Sequence, residues 1–113
     1  MAYRRMALEL GMGTDIRGAD STKAAARALR DALWRNTLSI AQICGKRPED
    51  MQIEVHIGVP RPETVREDEI RAVLPYGSAT VNVRQGGLEI STDDGRDSTL
   101  IAHAAAVVSL DID

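Results

Sequence analysis

At 113 residues the chain is short enough for one domain, residues 1–113, and a lone domain of this size buries only about two thirds of its extended-chain surface. Its 14 basic and 17 acidic residues, net charge −3, are mixed along the chain; no basic stripe suits nucleic acid and no polybasic run suits an anionic membrane. With no Phe, one Trp, two Tyr and much alanine, the monomeric core is thin, so a homo-oligomer, trimer or dimer, is expected.

The first element is a strand in which Met6, Leu8 and Leu10 alternate with Ala7, Glu9 and Gly11, giving one apolar face. The glycine-rich stretch GMGTDIRG then turns the chain. Its three glycines permit a positive-φ turn, and Asp15 is placed to bond its own loop backbone. Asp20 or Ser21 caps a long helix over STKAAARALRDALWRNTLSIAQIC, with Ala25, Ala28, Leu29, Ala32, Leu33 and Asn36 on one face. Arg27–Asp31 and Asp31–Arg35 are opposite charges four apart, and a break is expected near Asn36-Thr37. After a solvated GKRPED connection, MQIEVHIGVP is a strand with Ile53, Val55, Ile57 and Val59 inward, stopped by Pro60.

Thr64 and Glu67 form a capping box for a short helix with Val65, Ile70, Val73 and Leu74 apolar, closed by Pro75. YGSATVNVRQGGLEIST predicts a strand with Ala79, Val81 and Val83 inward, a tight Gly86-Gly87 turn and a partner strand at Leu88–Ile90. Asp93 to Asp97 is a polar loop. In the final strand Leu100, Ala102, Ala104, Ala106, Val108 and Leu110 share one face. The other face is nearly as apolar, which places this strand centrally in the sheet or against a neighbouring subunit.

This order predicts a two-layer α/β (α+β) domain, a mixed sheet with two helices on one face. Right-handed crossovers leave two layouts: a ferredoxin-like sandwich, or that of the trimeric chorismate-mutase-like proteins.

Several residues could carry chemistry. GMGTDIRG lacks the spacing of a dinucleotide or P-loop fingerprint, and its aspartate would repel a phosphate. Glu9, Asp15 and Arg17 lie at the carboxyl end of a strand, where open α/β sheets keep their sites. If the first two strands are neighbours, Glu9 and His56 meet on the helix-free face as a proton-transfer pair. Asp15, Glu9 and His56 are therefore the catalytic candidates. Gly11, Gly13, Arg17, Gly18, Asn36 and Arg84 are the ligand-binding candidates, the arginines as anion anchors. His103, among small residues, reads as a satisfied buried histidine. No local ligand spacing supports a metal, and no cofactor is expected. The single Cys44 leaves no internal disulfide, and Glu9 and the glycines interrupt the opening apolar stretch, so neither a secretory leader nor a membrane span fits; a cytoplasmic protein is expected.

GMGTDIRG resembles the Gly-x-Gly-x-Asp-x-His-Gly hallmark of a small family of conserved hypothetical proteins, found in bacteria and as a domain in plants. The similarity extends over TKAAARALRDAL, RNTLSIAQI, EVHIGVP, VLPYGSATVNVRQGGLEI and IAHAAAVV. Gly11, Gly13, Asp15 and Gly18 fit the hallmark, and Arg17 stands where the family has its histidine. The resemblance implies a fold unit and a candidate site, with no reaction attached. Arginine in that place cannot exchange a proton usefully, but it can hold a carboxylate or phosphate. Two functions compete: a small oligomeric hydrolase, lyase or isomerase acting on an anionic metabolite, or a non-catalytic binding, accessory or structural oligomer.

Overall fold

The structure, a computed structural model, describes residues 2–34, 39–74 and 77–112. Its elements are β1 (Tyr3–Asp15), α1 (Ser21–Trp34), α2 (Ile40–Ile43), β2 (Gln52–Val59), α3 (Glu67–Arg71), β3 (Ser78–Gln85), β4 (Leu88–Ser91) and β5 (Ser98–Asp111), with 3-10 turns at Pro48–Asp50 and Pro62–Thr64. The five-stranded sheet runs β1-β5-β2-β3, and β4 also pairs with β5. Strand β5 is antiparallel to β1, β2 and β4, whereas β2 and β3 are parallel. That parallel pair makes the sheet mixed, as expected, and departs from an all-antiparallel ferredoxin-like sheet. Helix α1 packs on β1 and β5, and α3 reaches α1 and β3, which gives the expected two layers. Among the described residues no helix is long and apolar enough to cross a membrane.

The core lies between α1 and the sheet. Ala24, Ala25, Ala28, Leu29 and Ala32 face Ala102, Ala106, Val108 and Leu110 of β5, with Ile53, Val55, Ile57 and Val59 of β2, and all are buried. The alternation read from β2, β3 and β5 matches their burial.

Strand β1 inverts the expected pattern. The glycine stretch does not turn the chain at Gly11 and Gly13; the strand runs through both to Asp15. These glycines face α1. A Cβ on Gly11 would stand 2.2 Å from the Ala28 carbonyl oxygen, and one on Gly13 would stand 2.2 Å from the Ala28 nitrogen. The helix backbone thus rests directly on the strand backbone, an approach only glycine permits. Since Glu9, Gly11, Gly13 and Asp15 share the helix side, Leu8, Leu10 and Met12 fall on the opposite, open face and are exposed. The turn comes later, at Gly18, with φ +86.

Arg27 and Asp31, four apart on α1, both reach β1. The Met12 N–H donates to Asp31 Oδ2 at 2.9 Å, and Arg27 Nη1 donates to the Thr14 carbonyl at 2.7 Å. Two backbone groups of an edge strand are satisfied in this way, which removes a template for further pairing.

The long helical stretch is described as α1 and α2; residues 35–38, with the expected Asn36-Thr37 break, and the Pro75 stop lie outside the described residues. Two other expectations change. The Thr64–Glu67 capping box does not form: Thr64 Oγ1 donates to the Arg61 carbonyl at 2.7 Å, and α3 starts only at Glu67. Gly86-Gly87 is not a hairpin turn. The Gly86 N–H donates to the Val59 carbonyl at 2.9 Å, and the chain crosses the end of β2 to pair β4 with β5. Gly87 holds φ +66, and a Cβ there would stand 2.0 Å from the Ile101 carbonyl oxygen.

Gly13→Ala is expected to lower stability by about 3 kcal/mol or more, because the contacted atoms are backbone and cannot yield. Gly45→Asn, at a position of φ +71 with open space around it, should change stability by less than about 1 kcal/mol. Urea unfolding of the two variants checks both.

Candidate functional site

Two polar centres emerge, on different sides of the sheet. The first lies where β1 ends, α1 begins and the β4–β5 hairpin turns. Among the described residues the buried polar side chains are Asp15, Ser21, Thr22 and Ser98, all at this end. Asp15 Oδ2 accepts the Asp20 N–H at 2.8 Å, and Oδ1 lies 3.6 Å from Arg27 Nη1. Asp20 in turn caps α1, its Oδ1 accepting the Lys23 N–H at 3.1 Å. Thr22 Oγ1 accepts the Arg66 N–H at 2.9 Å, tying α1 to the segment before α3. Ser21 Oγ is buried with no partner in the structure.

The hairpin is fastened to the loop after β1. The Gly18 N–H and the Ser98 N–H both donate to Asp97 Oδ1, at 2.9 and 2.8 Å. The Gly18 amide, then the Ser98 amide, hold the Asp97 carboxyl below its ordinary value of 3.8, and the nearby Arg17 charge adds to this. Arg17, expected as a free anion anchor, therefore already has a carboxylate in its field. Glu89 is also held below its ordinary 4.5, first by the Ser98 hydroxyl at 2.6 Å and then by Arg61 at 2.5 Å. These bonds join segments distant in sequence and use the carboxylates as structural acceptors.

The second centre lies on the open face of β2 and β3. Parallel pairing sets His56 opposite Asn82 and Gly58 opposite Arg84. Arg84 Nη2 stands 2.9 Å from His56 Nδ1, and His56 Nε2 stands 2.8 Å from Glu54 Oε1. A guanidinium can only donate, so Nδ1 carries the lone pair and Nε2 carries the proton given to Glu54. The two contacts together orient the ring between Glu54 and Arg84. A hollow of about 240 Å³, lined by Gln52, Glu54, Ser78, Thr80, Val107 and Ser109, opens on the same face.

The structure does not bring Glu9 and His56 together. Strand β5 separates β1 from β2, and Glu9, in phase with Gly11 and Gly13, is on the helix side. Its register partner is Ala106, whereas His56 pairs with Ala105, which points the other way. Asp15 lies at the far end of β1, opposite Leu100. Asn36 is outside the described residues. His103, expected buried, is exposed on the open face between Met12 and Gly58. Glu89, Asp97 and Arg61 were not singled out from sequence, since their partners are distant and no local spacing announces them.

Because the Asp97 and Glu89 carboxyls sit below their ordinary values in the folded chain, their stabilisation is complete above the unfolded values and is lost as pH falls through the folded ones. Stability followed by urea unfolding from about pH 6 down to about pH 2 should decline, and Asp97→Asn should flatten that decline. An unchanged slope in the variant would remove Asp97 from the account.

Comparison with known proteins adds a family and a fold. A crystal structure of an FtsZ-like protein of unknown function from Nostoc punctiforme PCC 73102 is similar, with 41% identity, 99% of each chain covered and a TM-score of 0.89. No match is found among curated proteins. The family described as conserved hypothetical protein (Lin0512_fam) matches residues 5–108. With nearly its whole length matched, and with the fold shared at high identity, the chain belongs to the Lin0512 family of conserved hypothetical proteins.

Proposed function

We propose that this protein binds a small anionic metabolite, a carboxylate or phosphate ester, on its open sheet face, as a non-catalytic binding or accessory protein of the cytoplasm. The observation that carries the reading is the Glu54–His56–Arg84 chain, at 2.8 and 2.9 Å. Glu54 is engaged by the imidazole N–H, so its charge is turned toward the ring. Arg84 gives His56 one of its five N–H donors and keeps the rest of its fork for an anion. Asn82 and Thr80 stand on the same face of β3 with further hydrogen-bonding groups. Arg17 and Gly18 are less suited to this role, because the Gly18 N–H already donates to Asp97 and the Arg17 charge already has that carboxylate in its field.

The Glu54–His56 contact favours a second reading, a hydrolase, lyase or isomerase that uses this pair for proton transfer on the same ligand. Asp15 and Glu9 lie away from that pair, at the strand end and on the helix side. Turnover of the bound compound, lost in His56→Gln, would decide for it.

The test is an NMR titration with inorganic phosphate and with citrate into the millimolar range. The His56 ring and Arg84 guanidinium signals are expected to move together, and Arg84→Ala should weaken binding at least about tenfold, or 1.4 kcal/mol. Unmoved His56 signals, or equal binding by Arg84→Ala, would reject the site.

A further inference from the structure

The open sheet face has two lanes. Strands β2 and β3 carry Glu54, His56, Thr80, Asn82 and Arg84. Strands β1, β4 and β5 carry an apolar lane. Leu8, Leu10, Met12, Leu88 and Ile90 there are between 53% and 62% exposed. Register makes the lane continuous: Leu8 lies opposite Val107, Leu10 opposite Ala105, Leu88 opposite Ile101 and Ile90 opposite Thr99. Both described helices that cover the sheet, α1 and α3, lie on its other side, against the buried residues.

A continuous apolar surface of this kind marks an interface on a water-soluble chain. We propose that the lane is covered by another copy of this chain, sheet face against sheet face. The composition of the lane selects that occupant. Between Leu8 and Ile90 it holds no Asp, Glu, Lys or Arg; His103, opposite Met12, is its one ionisable group, and Arg5 and Asp111 stand only beyond its Leu8 end, so self-contact over that stretch brings no carboxylates or arginines together. A twofold axis parallel to the strands and between β1 and β5 lays β1 on the partner's β5 and leaves the two polar lanes at opposite rims, the ordinary anatomy of a self-complementary interface. Size permits it. The two longer extents of the molecule, 57 and 24 Å, bound the whole face, polar lane included, at roughly 1,400 Å², so the apolar lane with part of its rim can reach the about 800 Å² per partner of a standard stable interface. Edge-to-edge growth at β1 is opposed, since Arg27 and Asp31 hold its Thr14 carbonyl and Met12 N–H.

Sedimentation velocity over a concentration series tests this. The wild-type chain should sediment as a discrete oligomer, above the 12.3 kDa of one copy. Leu10→Asp and, separately, Leu88→Asp should each shift it to the monomer with an unchanged far-UV circular dichroism spectrum. Arg84→Ala, which removes the proposed anion anchor, should leave sedimentation as it was, so the two proposals fail independently. A wild-type chain that stays monomeric up to about a hundred micromolar, or an oligomer that survives both aspartates, overturns the inference. The wild-type series stands alone even if a variant fails to fold.

Discussion

Helix α1 meets strand β1 through backbone rather than side chains: Gly11 and Gly13 present nothing but Cα to Ala24, Ala28 and Ala32. Most other features depend on that approach. It brings Arg27 and Asp31 close enough to reach the edge of β1. It sets Asp15 beneath the start of α1, where the Asp20 amide and Arg27 can meet its two oxygens. It also fixes which side of β1 faces water. Alanine contributes little apolar area, so close packing and many dispersion contacts must supply what large side chains would supply elsewhere.

Strands β2, β3 and β5 were legible because in each the bulkier apolar residues mark the covered side, as Ile53, Val55 and Ile57 do. The same rule fails for β1. It assumes that the core side is the side with large apolar groups, whereas here the core side is occupied by a helix backbone and must be empty of them. Leu8 and Leu10, read with Met6 as the apolar face, lie outward, whereas Met6 packs against the core. His103 was misplaced for a related reason: alanine neighbours suggest burial, yet odd-numbered positions of β5 open on the uncovered face. The Gly86-Gly87 pair carries the composition of a hairpin turn, and only the early end of β2 reveals that the chain crosses it instead.

The two polar centres differ in the same way. At the head of β1 the carboxylates of Asp15, Asp20, Asp97 and Glu89 accept bonds from nearby amides, hydroxyls and arginines, and join the β1 loop, α1 and the β4–β5 hairpin. The bonds run over separations as long as the 79 residues between Gly18 and Asp97, which no local pattern encodes. On the open face, Arg84 and His56 were legible as polar-face residues of β3 and β2. Their contact follows only from parallel register, which aligns the two strands without a turn between them.

Strand β5 has one more consequence, in the order of events as the chain is made. Strand β1 pairs with β5, β4 pairs with β5, and β2 is joined to the rest of the sheet through β5. Until residues 98–111 have left the ribosome, the β2–β3 pair is the largest piece of this sheet that can form. Strand β1 is made first and paired last, with Leu8, Leu10 and Met12 lacking even a neighbouring strand in the meantime. Closure over so long a separation is slow and exposes apolar segments while it waits. The central place of β5 makes its synthesis, rather than the emergence of each earlier element, the step that commits this domain to its fold.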